Sequence, residues 1–209
     1  MIENHRSVIK FPKSSCSLHS SIFIFIDWQL EYLSSGRAYA LGDVEQSLSN
    51  SLSLLEHARK IGMTIAHFRR LMDGTFFNQA TKFSSWIDDL KPRPNEMVFE
   101  RKELSIYSNP AFVTFLESIN LPELIVSGLT GERSCLSTAV DGAHRNHSLI
   151  FVKDASASSS VGNLSEKRSH ELVCDIINLY ADVKTTREMI ATMTDSRAIE
   201  RGSNEVRYK

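Results

Sequence analysis

Residues Glu123–His144 read ELIVSGLTGERSCLSTAVDGAH: an apolar run, a glycine, a short polar loop, and a cysteine where a helix should begin. A continuous β-rich run ending in glycine and followed at once by a helix is the strand–loop–helix unit of a parallel sheet. Working outward, the same unit recurs. Downstream, SLIFVKDA (Ser148–Ala155) is a strand and Ser165–Tyr180 a helix with Leu172, Val173, Ile176, Ile177 and Tyr180 on one stripe. DVKTTREM then suggests a last strand and helix start. Upstream, Pro110 opens a helix carrying Phe112, Phe115, Leu116 and Ile119, proline being favoured in a first turn. EMVFERK (Glu96–Lys102) and MTIAHFR (Met63–Arg69) read as strands, and SIFIFID (Ser21–Asp27) as a strand buried on both faces. Val44–Ile61 has Leu48, Leu52, Leu55 and Ala58 at helical spacing, with Asp43 as N-cap and Gly62 just beyond the end.

Strands alternating with helices imply a three-layer α/β/α, Rossmann-like domain with a mostly parallel sheet of about six strands. Residues 21–190 form this single domain, preceded by a polar arm (1–20) and followed by a polar tail (191–209). In 209 residues the formal charge of -1 gives no broad electrostatic case for nucleic acid or an anionic membrane. Three scattered cysteines, Cys16, Cys135 and Cys174, make neither a disulfide framework nor a zinc motif and fit a reducing compartment. IFIFI is cut short by Asp27 and cannot span a bilayer. The expectation is a cytoplasmic protein.

Right-handed crossovers place all strand-to-helix loops on one sheet edge, where ligands bind. Asp27, Lys102 and Cys135 end the first, third and fourth strands there. A thiol under a helix N-terminus and near a cation is a nucleophile, an aspartate a base, and successive N–H groups of GLTGERS an oxyanion site. Acyl transfer on a carboxamide, carbamoyl or imide C–N bond follows from that set. Each residue also has a plain alternative: a packed thiol, a turn aspartate, a solvated lysine.

Several of these segments together resemble one family. FIDWQLEY looks like the strand-ending Asp-x-Gln motif of the isochorismatase-like cysteine hydrolases. The block from FERKELSIYSNPAF to FVKDAS looks like that family's centre: a lysine before Tyr107, Ser108 and Phe112, then Gly128, Cys135, Thr138, Ala139, Asp141, Gly142, Asp154 and Ala155, with His170 in the next helix. The similarity runs from about Ser21 to Met189. It implies an Asp27–Lys102–Cys135 triad, a non-proline cis peptide near Thr130 and Gly131, and the N–H groups of Gly131 and Cys135 as oxyanion donors. GLTGERSC has one residue more between glycine and cysteine than many amidase members, a length closer to the isochorismatase branch. The nicotinamidases' Asp-x-His metal pair is missing from HFRRLMDGTFFNQATKFSSW, so no metal and no other cofactor are expected.

The leading expectation is therefore a metal-independent hydrolase forming a thioester on Cys135 with a small amide, ureido or carbamoyl substrate. Trp28, Gln29, His67, Tyr107, Phe112 and Thr130 are candidates for its pocket, and Arg69 and Arg70 for a carboxylate clamp. An isochorismate-type vinyl-ether hydrolase, with Asp27 as acid and no thiol nucleophile, is the alternative, and a non-catalytic binding member a further one. The resemblance also implies a homo-oligomer.

Overall fold

The computed structural model describes residues 21–119 and 122–194. Six parallel strands form one sheet: β1 (Ile22–Ile26), β2 (Thr64–Arg70), β3 (Met97–Arg101), β4 (Leu124–Gly128), β5 (Leu149–Val152) and β6 (Asp182–Lys184), in the order β3-β2-β1-β4-β5-β6. The arm and most of the tail, 1–20 and 195–209, lie outside the described residues.

Strand alternation splits the apolar residues between two layers. Phe23, Phe25, Ile65, Ile125 and Ile150 face α1 (Glu45–Lys60) and the helical residues 186–194. Ile22, Ile24, Ile26, Phe68, Val126 and Phe151 face α2 (Pro110–Ser118), α3 (Leu136–His144) and α4 (Glu166–Ile177). Pro110 takes the first turn of α2 as expected, with Asn109 accepting from the Phe112 N–H. Asp43 does not cap α1: its own N–H and that of Gly42 are instead bound by the Glu166 carboxylate at the start of α4.

The strand order reverses between β1 and β4, the switch point beside which sheets of this kind generally bind ligands. Ile26 and Gly128 are register partners there. A Cβ on Gly128 would lie 2.4 Å from the Ile26 carbonyl oxygen, so only glycine lets the two backbones meet this closely.

Candidate active site

Asp27 follows the last residue of β1 in the left-handed region, φ 57°, which aspartate tolerates better than most residues. Its N–H extends the ladder to the Phe68 carbonyl, and its side chain is fully buried. Oδ2 accepts two hydrogen bonds, from Arg101 Nη2 at 2.7 Å and from Ser134 Oγ at 2.8 Å. Oδ1 has no partner among the described residues. Burial raises the carboxyl above its ordinary value, against the opposing pull of the Arg101 charge, the Ser134 and Arg101 bonds, and Arg70.

The cation on Asp27 is thus Arg101, which corrects the expectation of Lys102. Strand alternation is the reason: Met97, Phe99 and Arg101 turn inward, Val98 and Glu100 outward. The Arg101 side chain is 1% exposed, whereas Lys102 is 69% exposed and pairs with Asp73 at 2.7 Å on the surface. That inward period of two was readable in MVFER, and extending it would have selected residue 101.

The loop after β4 produces the second correction. Residues Gly131–Cys135 form one wide π-type turn, closed by the Cys135 N–H on the Thr130 carbonyl at 3.2 Å, and α3 begins only at Leu136. Adjacent residues on a helical turn point about 100° apart. Ser134 therefore reaches Asp27, while Cys135 joins the apolar layer with Ala139, Val173 and Ile177. Cys135 Sγ has no hydrogen-bond partner among the described residues. Burial pushes its thiol well up, the Asp27 and Glu132 charges push the same way, and Arg101 offsets them only in part. The extra loop residue was the available signal: shortening the count from Gly128 by one arrives at Ser134.

Both expected oxyanion donors are engaged inside the fold. Gly131 N–H binds the Ala157 carbonyl at 2.8 Å, and Cys135 N–H closes the turn. A non-proline cis peptide is present at Leu129–Thr130, at Thr130 as the resemblance implied. Thr130 Oγ1 and Trp28 Nε1 are buried without partners among the described residues, and these side chains flank Ser134's turn and Asp27 in sequence.

The remaining expected pocket residues have partners within the fold. Gln29 is buried and clasps the Arg70 N–H and carbonyl and the Ser84 carbonyl. His67 stacks on Phe25 in the α1 layer and bonds Glu96 at 2.8 Å. Tyr107 bonds His147 at 2.7 Å, and Phe112 packs between Phe68 and Phe99. Arg69 pairs with Glu100 at the surface. Arg70 lies over Phe77 and Arg133 over Tyr39, with ring distances of 5.3 and 5.0 Å. Those rings pack on Tyr32, a buried phenol whose pKa burial and the Asp27 charge both raise. Arg101, Arg70 and Tyr32 are the charged and phenolic groups that interact with the buried Asp27. Among the described residues no three His, Cys, Asp or Glu side chains gather as a metal set, and no described helix is long and apolar enough to cross a membrane.

A parallel sheet of this order, covered by helices on both faces, is a Rossmann-like α/β fold, here with a buried aspartate at its switch point. The isochorismatase domain model matches residues 21–188, and the chain belongs to that family of hydrolases. A secreted isochorismatase effector, Isc1, of Verticillium dahliae is 27% identical over 156 residues, 74% of this chain and 81% of that protein. An isochorismatase structure from Pseudomonas putida KT2440 is 26% identical with a TM-score of 0.78, over 86% of this chain and 93% of that one. A nicotinamidase/pyrazinamidase from Bacillus subtilis shares the fold at 18% identity and a TM-score of 0.67, over 78% and 98%.

Proposed function

We propose that this protein is a hydrolase working by proton transfer at Asp27 without a thiol nucleophile, and that it cleaves an enol ether of a small carboxylic acid. The observation that carries this reading is the hydroxyl of Ser134, rather than the thiol of Cys135, on the Asp27 carboxylate. Likeness to proteins described as isochorismatases supports the same side.

Burial raises the Asp27 carboxyl, so it holds its proton to higher pH than an exposed aspartate and is the better suited to act as an acid. In the proposed step the Asp27 proton passes to the terminal carbon of the C=C–O group, and the electron pair of the double bond forms the new C–H bond. The oxocarbenium ion so made takes up water at its cationic carbon. The hemiketal collapses to ketone and alcohol, and the proton lost by the added water returns to Asp27. Enol ether plus water thus gives alcohol plus ketone. Arg101 is a fixed cation that keeps the carboxylate oriented between proton loss and return. Arg70 and Arg133 supply positive charge for a substrate carboxylate.

A second reading has a specific observation behind it. Ser134 Oγ lies 2.8 Å from its base, so it could attack an amide as a serine nucleophile. One experiment separates the two. Ketone release from pyruvate enol ethers and ammonia release from small amides are measured for the native protein, Asp27→Asn, Ser134→Ala and Cys135→Ala. Asp27→Asn should lose roughly 10²–10⁴-fold of enol-ether turnover. Ser134→Ala should keep measurable turnover on the enol ether, whereas a serine acyl-transfer enzyme would lose its amidase activity. Ammonia release that vanishes in Cys135→Ala would overturn the proposal.

A further inference from the structure

We propose that Ser134 is a positioning residue that, together with Arg101, keeps the transferable proton of Asp27 on Oδ1 and tunes how tightly it is held. The inference rests on the acid–base reading of Asp27 above and goes past it to a single atom. The two carboxyl oxygens have unequal surroundings. Oδ2 accepts from Arg101 Nη2 and from Ser134 Oγ, while Oδ1 accepts from nothing among the described residues. A protonated carboxyl oxygen is a poor acceptor, so two donors on Oδ2 keep it as the carbonyl-type oxygen. The proton therefore resides on Oδ1, and substrate carbon must approach Asp27 from the Oδ1 side.

Ser134 has the freedom to play this part because its hydroxyl is both donor and acceptor. Its O–H is committed to Oδ2, since the ionised carboxylate offers no proton in return, and this bond favours the ionised form. The other groups around Asp27 are accounted for. Arg101 comes from the end of β3, Arg70 from the end of β2, and Cys135 from the π turn. Tyr32 comes from the turn after β1 and itself senses Arg133. Cys135 and Tyr32 have their own acidity suppressed by burial, so they are neutral neighbours when Asp27 titrates. Of the groups hydrogen-bonded to the carboxyl, only Ser134 can be removed without removing a charge.

The test needs no substrate. The carboxyl carbon of Asp27, labelled with ¹³C and assigned by its loss in Asp27→Asn, is titrated by NMR in the native protein, Ser134→Ala and Ser134→Thr. Ser134→Ala should bind the proton about tenfold more tightly, moving the midpoint to higher pH. Ser134→Thr, which keeps a hydroxyl, should restore the native midpoint. A midpoint unchanged in Ser134→Ala overturns the proposal, whatever the substrate proves to be. Where a substrate is in hand, the alkaline limb of its kcat/KM profile should move with the NMR midpoint. Retained NMR behaviour with failed enol-ether turnover would refute the reaction assigned above and leave the role of Ser134 standing.

Discussion

Cys135→Ala is the perturbation on which the corrected site depends most directly. The residue is 1% exposed and belongs to the apolar layer under α3 and α4. Truncation removes one sulfur atom and no hydrogen bond among the described residues, so the cost is a small cavity plus lost transfer energy. By analogy with the loss of one or two buried methylenes, that is about 1–2 kcal/mol of stability. Catalysis should change little: turnover within about threefold of native, against the many orders lost when a covalent nucleophile is removed. Urea unfolding reads the first number and steady-state ketone release the second. Native-state alkylation adds a third. With its ionisation suppressed and its sulfur enclosed, Cys135 should resist iodoacetamide until the chain is unfolded. Rapid labelling of Cys135 in the folded protein, together with a thousandfold fall in turnover of the alanine variant, would refute the assignment of the thiol to the core.

Arg101→Met should abolish turnover, whereas Lys102→Ala should leave both turnover and melting temperature at native values, because Arg101 bonds Asp27 while Lys102 pairs with Asp73 at the surface. Gly128→Ala forces a methyl onto the Ile26 backbone and should cost about 3–5 kcal/mol, read from the urea midpoint. Glu96→Gln tests the buried cluster under β2. Burial alone would raise the Glu96 carboxyl, but bonds from Arg59, the Arg93 N–H and His67 hold it at about 2, below its ordinary 4.5. A depressed carboxyl contributes stability that is complete above its unfolded value and lost as pH falls toward its folded one. The difference in unfolding free energy between native and Glu96→Gln should therefore be about 1.5–3 kcal/mol at pH 6 and close as pH falls from 4.5 to 2. A gap that stays constant between pH 6 and pH 2 would count against that origin.

The layers of the fold were legible because burial and backbone alternation act locally: IFIFI, LIVSG and LIFV announce buried parallel strands whatever surrounds them. Asp27 was legible for the same reason, as the residue that interrupts such a run. The other two partners were each misplaced by one position. A strand edge distinguishes neighbours only by which face they take, so Lys102 and Arg101 are chemically alike in the sequence and opposite in space. The turn before α3 posed a different difficulty. Whether a five-residue segment closes as an α, 3₁₀ or π turn depends on tertiary contacts such as Gly131 to Ala157, and that choice rotates every side chain after it. The pocket residues were hardest, because Gln29, His67 and Tyr107 found partners remote in the chain: Arg70 and Ser84, Glu96, and His147.

Positions 134 and 135 place a hydroxyl and a thiol side by side on one turn, only the first of them within reach of the acid. Oxygen and sulfur differ by one atom in otherwise equal side chains, so Ser134→Cys would install a soft nucleophile at the carboxylate without moving a strand or helix. On the acid–base reading proposed above, that one replacement would add the means of covalent catalysis to an architecture otherwise unchanged.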